Sequence, residues 1–146
     1  MNRELQEVIQ KYIDTHGESE LENRLRSLLQ KDEEDVLTII VNKGQHPLSE
    51  SHVRGEIFVV SEGMLDLKNP NEVFKGLLDK LAKKLKSKPW KRVYIVPFGP
   101  AALSMQVKLL VYRVLHMDSI DVLHIGNNDY IDIEVNQRDF LSERNS

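Results

Sequence analysis

The sequence predicts an α/β fold: a Rossmann-like parallel or mixed sheet of about five strands, with flanking helices and an N-terminal helical hairpin packed alongside. Three observations carry this expectation. Apolar residues at helical spacing fill the first thirty positions, short β-branched runs recur at 36–41, 56–60, 92–96 and 121–125, and two of the intervening gaps hold helical segments. The order β-α-β-α-β from residue 56 to 125 implies a parallel core with right-handed crossovers.

Leu5, Val8, Ile9, Tyr12 and Ile13 repeat at helical spacing and form one apolar stripe, which His16-Gly17 closes. Ser19 to Glu22 has capping-box form and starts a second helix carrying Leu21, Leu25, Leu28 and Leu29. The acidic run Asp32-Glu33-Glu34-Asp35 reads as a solvated linker. The apolar run from Val36 to Val41 suits a strand buried on both faces, and Gly44 and Pro47 mark 42–53 as a loop. Glu56 to Val60 is the second strand; its direction relative to the first is open, since a dozen residues allow a hairpin return or a crossover. Asn69-Pro70-Asn71-Glu72 opens a helix that buries Val73, Phe74, Leu77, Leu78, Leu81 and Leu85, and Ser87-Lys88-Pro89 ends it. Strand three is Arg92 to Val96. The helix from Pro100 to about His116 is apolar around most of its circumference, so it is expected to be covered on more than one side. Asp121 to Ile125 and the alternating Tyr130 to Val135, joined by Gly126-Asn127-Asn128-Asp129, form a hairpin with an antiparallel edge strand. One domain is expected: a hairpin over 1–31, an α/β core over 36–135 and a polar tail over 136–146, which Phe140 and Leu141 tack to the body.

The net charge of −3 is unevenly spread: five basic and ten acidic residues in 1–35, eight basic against Glu72 and Asp79 in 72–92, and seven carboxylates against two arginines in 118–146. Whole-protein attraction to DNA should therefore be weak, while the lysine face with Trp90 beside it reads as an ordinary solvated helix face. The absence of cysteine excludes disulfides, a thiol nucleophile and Cys-ligated metal. No signal peptide and no apolar run of membrane-spanning length is visible, so a cytoplasmic protein is expected.

The motif with most chemical content is Val93 to Pro100, where a buried strand feeds a buried helix through Pro97-Phe98-Gly99-Pro100. Gly99 suits an N-cap and Pro100 the first helical turn, leaving backbone N–H groups free near Gly99 to Ala101. Such junctions lie at the carboxyl edge of an α/β sheet, where anions are held. Ser104, one turn into the helix, Lys108, and Ser61 at the end of strand two are the candidate side-chain contributors. Neither GxGxxG nor GxxxxGK[ST] is present. His46, His52 and Glu50 match no familiar metal spacing; Asp66-Leu67-Lys68 has the acid-x-Lys form of a Mg²⁺ nuclease but lies in a connection; His124, inside a strand, reads as a sheet-face histidine. No GxSxG elbow exists.

Residues 91–135 resemble the C-terminal part of SAVED domains, the CARF-related sensors of cyclic oligonucleotides in bacterial anti-phage systems. The matching elements are Tyr94-Ile95-Val96-Pro97-Phe98-Gly99-Pro100, Leu103, and Asp121 to Tyr130. The resemblance implies a Rossmann-like sheet with ligand phosphates or bases near the strand-to-helix turn. This chain departs from the family in carrying Lys108 where a glycine is common, and in being about half the length of a full SAVED domain.

The leading expectation is a non-catalytic module binding a nucleotide-type anion, such as a nucleotide or cyclic oligonucleotide, through Gly99, Pro100, Ala101, Ser104, Ser61 and Lys108, with no cofactor or metal. The alternatives are an interaction subunit, homo-oligomeric or joined to a partner protein through 2–30 and 100–116, and a small Mg²⁺-dependent hydrolase or nuclease relying on Asp66 or Glu62.

Overall fold

A computed structural model of the chain describes residues 2–33, 35–44, 53–127 and 129–141, and resolves two compact units, Met1–Glu34 and Asp35–Ser146. In the first unit, α1 (Arg3–His16) begins where the Asn2 side chain accepts a hydrogen bond from the Glu4 N–H, at 2.8 Å. It ends at Gly17, whose φ of 92° lets the chain turn directly into α2 (Glu18–Glu33). Ser19 therefore lies inside α2 instead of capping it. The helix also continues through Asp32 and Glu33, which were expected in a linker. Leu5, Val8, Leu25 and Leu28 stay at least half exposed.

The second unit is an α/β sheet with strands β1 (Val36–Lys43), β2 (Glu56–Glu62), β3 (Arg92–Val96), β4 (Ile120–Gly126) and β5 (Asp129–Ile133). Their spatial order is β2-β1-β3-β4-β5, with every pairing parallel except β4 with β5. The mixed, mostly parallel sheet is the one expected, and β1 and β2 prove parallel. Interior strand β1 is buried without a break from Val36 to Asn42, as a strand covered on both faces must be.

Side chains alternate across the sheet, so each strand divides between two cores. Leu37, Ile39, Val41, Val93 and Ile95 face one side, where they meet Leu81 and Leu85 of α3 (Pro70–Leu85) and Leu103, Val107 and Val111 of α4 (Ala101–Leu115). Both helices lie on this side because the crossovers from β2 to β3 and from β3 to β4 run in the same direction, and each is right-handed. Each fully buried Leu or Val contributes on the order of 1.5–3 kcal/mol of transfer free energy. Val36, Ile40, Tyr94, Val96, Ile120 and Val122 form the second core on the opposite face, where the Arg54 guanidinium lies 4.3 Å over the Tyr94 ring and pairs with Asp132 at 2.8 Å.

Trp90 closes the first core just before β3. It is 5 % exposed, and its indole N–H donates to the Lys84 carbonyl at the end of α3. The helix α4 departs from expectation in two ways. Its first residue is Ala101, with Pro100 in extended geometry (ψ 128°) as the N-cap, one place later than the sequence suggested. Only one of its sides is covered: Met105, Leu109 and Tyr112, spaced along the outer face, are 71, 45 and 40 % exposed. Phe140 and Leu141, expected to tack the tail down, are also exposed at the end of a single 3-10 turn, Gln137–Phe140.

Candidate functional site

The chain leaves β1 toward β2 in one direction, and leaves β3 toward β4 in the other. Adjacent strands whose connections diverge leave a crevice outside their carboxyl ends, since neither crossover passes over it. Here a cavity of about 480 Å³ occupies that position, lined by Asn42 and Gly44 after β1, Phe98 and Gly99 after β3, and His124, Asn127 and Tyr130 from the β4–β5 hairpin.

Each wall has a local cause. Asn42 is the polar last member of a largely apolar buried run, and burial obliges its amide to find partners. It donates to the Ser61 hydroxyl at 3.1 Å and to the Gly63 carbonyl at 2.8 Å, and Ser61 in turn donates to the Val41 carbonyl at 2.7 Å. This network ties the ends of β1 and β2 together. Gly99 packs flush against Asn42: a Cβ at position 99 would stand 2.6 Å from the Asn42 Cβ, and φ is 88°. Only glycine lets the strand-to-helix turn approach so closely.

The aromatic wall depends on a bulge. His124 pairs with Tyr130, but Gly126 pairs with Asp129, so β4 spends one extra residue, Ile125, against β5. Asn127, with φ 44°, follows in the turn. The ring of His124 lies 5.0 Å from that of Tyr130, and the ring of Phe98 lies 6.4 Å from it. The crevice thus offers three π surfaces, amide groups and glycine backbone, and no carboxylate lines it among the described residues.

The candidate residues divide between several places. Gly99 lines the crevice, with Pro100 and Ala101 immediately following it at the start of α4. Ser61 is 6 % exposed with its hydroxyl held by Val41 and Asn42, so it supports the crevice from behind. Ser104 and Lys108 line a different cavity, where the Lys108 ammonium donates to the Asp121 carboxylate at 2.6 Å and the Ser119 hydroxyl at 3.0 Å. Asn42, Phe98 and Asn127 were not singled out as site residues by the sequence. A polar residue ending a buried apolar strand was the available signal for Asn42; the other two had none beyond their places in turns.

The remaining candidates acquire ordinary roles. Asp66 caps its own turn by accepting from the Lys68 N–H at 3.0 Å. In the basic segment, Lys84 and Lys88 both reach Glu56, at 2.5 and 3.4 Å. Burial withdraws the Trp90 ring from any stacking partner. His46, Glu50 and His52 lie outside the described residues; among the described ones, no group of three or more His, Asp or Glu could hold a metal ion. No described helix is long and apolar enough to cross a membrane.

Comparison with family models, with curated proteins and with solved structures gave no match.

Proposed function

We propose that the second unit is a non-catalytic binding module whose crevice beside Gly99 takes a nucleotide-type anionic ligand. The observation that carries this reading is the cavity itself: about 480 Å³ at the divergence of β1 and β3, walled by Phe98, His124 and Tyr130 and free of lining carboxylates among the described residues. A nucleobase has a flat face for such rings, and stacking on one aromatic side chain is worth about 1–3 kcal/mol. A phosphate has a complementary place at the start of α4. No acidic residue occupies that helix's first turn, and the positive end of the helix dipole favours an anion there. The resemblance of residues 91–135 to SAVED domains supports the same ligand class, and anti-phage signalling as its setting.

The test is a thermal-shift panel of mono-, di- and cyclic nucleotides. A ligand at a hundred times its Kd stabilises by about 2.7 kcal/mol. His124 is exposed, so His124→Ala should leave the unliganded melting temperature nearly unchanged and weaken binding about tenfold through the lost ring contact. A flat panel at millimolar nucleotide overturns the reading.

A second reading, an interaction subunit, draws on the first unit, where Leu5, Val8, Leu25 and Leu28 leave apolar surface exposed. Its test is the mass in solution: a value above 16.9 kDa by light scattering that falls on Val8→Glu or Leu25→Glu supports it, and a monomer at high concentration with no partner in pull-downs rejects it.

A further inference from the structure

The larger cavity of the second unit, about 580 Å³, lies between α4, the end of β3, the start of β4 and the C-terminal turn. Its walls are chiefly Ile95, Pro97, Met105, Leu109, Tyr112 and Leu141. Set into this apolar lining is a compact polar cluster. Lys108 donates to Asp121 Oδ2 at 2.6 Å and to Ser119 Oγ at 3.0 Å, and Ser119 donates to Asp121 Oδ1 at 2.9 Å. Such a cluster resembles a serine–lysine pair, but the Ser119 hydroxyl donates to Asp121 and accepts from Lys108, so the amine is not placed to take its proton. Its chemistry is therefore recognition.

We propose that this cavity binds a small uncharged molecule, mostly apolar, whose single hydrogen-bond acceptor, an amide or ketone oxygen, meets the Lys108 ammonium. An ammonium has three protons, and two of those on Lys108 have the partners just named. Both oxygens of Asp121 are engaged, and Asp118, at the same cavity, accepts from the Gln137 N–H at 3.2 Å. A ligand carboxylate would add a third anion beside these two, and a ligand ammonium would face Lys108. A neutral acceptor escapes both repulsions. Ser104 lies one helical turn before Lys108, and its hydroxyl oxygen is buried with no hydrogen-bond partner. Rotation about its one side-chain torsion would supply a second donor and relieve the cost of an unpaired buried hydroxyl. The volume lies within the range of small-molecule sites, and an occupant would cover Met105, Leu109 and Leu141, now 71, 45 and 79 % exposed. The site is independent of the crevice beside Gly99, since the two share no lining residue.

The test uses the full chain with ¹³C-methyl-labelled methionine, observing Met105 by NMR while hexanamide, hexanoate or hexylammonium is added. Hexanamide should shift the Met105 methyl saturably, with affinity about tenfold above either charged analogue, the desolvation of a second charge being worth at least that factor. Lys108→Met should abolish the preference for the amide over hexylammonium and leave hexanoate the weakest of the three. Ser104→Ala, a change that suits a helix, should weaken hexanamide several-fold while leaving the unliganded spectrum in place. The proposal is overturned by the absence of a saturable shift, or by equal affinity for the three probes. It is also overturned by a Met105 shift that follows protein concentration together with a rise in mass, since the face would then belong to a second copy.

Discussion

Replacing Gly99 by alanine should cost far more than the same change at Gly63, although both glycines have positive φ. At Gly63, φ is 66° and an added Cβ meets nothing within 4 Å, so the penalty is that of holding alanine in left-handed geometry, about 1–2 kcal/mol. Gly99, at φ 88°, carries a comparable backbone cost, and its new methyl would also stand 2.6 Å from the Asn42 Cβ and 3.2 Å from the Asn42 Cγ. Asn42 cannot retreat freely, because its amide holds both Ser61 Oγ and the Gly63 carbonyl in a buried place. Displacing it breaks one or both hydrogen bonds and strands a buried donor, at about 1–3 kcal/mol. The Gly99 variant should therefore lose about 2–5 kcal/mol in all, roughly 1–2 M in urea midpoint for a domain of this size. Trp90, the only tryptophan and a buried one, reports the transition by fluorescence, with circular dichroism as a second probe. Equal losses at the two glycines would refute the close approach of the turn to Asn42, and with it the geometry of the crevice.

Two further perturbations probe the frame around the sheet. The Glu56 carboxyl is held below the ordinary glutamate range, chiefly by the hydrogen bond from Lys84 and then by the charges of Lys84 and Lys88, with desolvation opposing. Its contribution to stability is present above the ordinary value and is lost as pH falls through the lowered one, so Glu56→Gln should flatten the acid limb of the stability–pH curve; an unchanged limb would dismiss the pairing. Trp90→Ala should cost about 3–5 kcal/mol by circular dichroism, and Trp90→Phe less than half of that. The smaller cost follows because the Lys84 carbonyl keeps the Ser87 N–H and hydroxyl as donors when the indole is gone. Equal costs would mean that the indole hydrogen bond, and not the buried ring, is what matters.

Strand β3 was legible to the residue because a β-branched run is stopped by Pro97, and the β4–β5 hairpin because its turn residues and its alternation agree. What escaped depends on partners distant in the chain. Asn42 reads locally as the start of a loop, yet it continues β1, and its role is set by Gly99, by Ser61 on the neighbouring strand and by Gly63 just past that strand's end. Helical spacing places Ser104 and Lys108 one turn apart but says nothing of which cavity that face meets. An apolar helix such as α4 looks the same whether its outer stripe is covered or bare. The bulge at Ile125 has no marker, since Leu123, His124 and Ile125 all belong to one strand-forming run.

An interior strand of the sheet, β1, is the first strand to be synthesised. Val36 pairs with Arg92 and Leu37 with Val93, so β1 gains its inner neighbour only after more than fifty further residues have been made. At translation rates of about 5–20 residues per second, this leaves the most apolar strand of the protein waiting on the order of 3–10 s for β3. Parallel β2 arrives sooner but covers a single edge. During that interval the growing chain presents an unpaired, largely apolar edge, the kind of surface that joins nascent chains to one another. The demand on chaperones should accordingly fall on a short window of synthesis, between the emergence of β1 and that of β3, and slower translation of residues 44–91 should increase the fraction that aggregates.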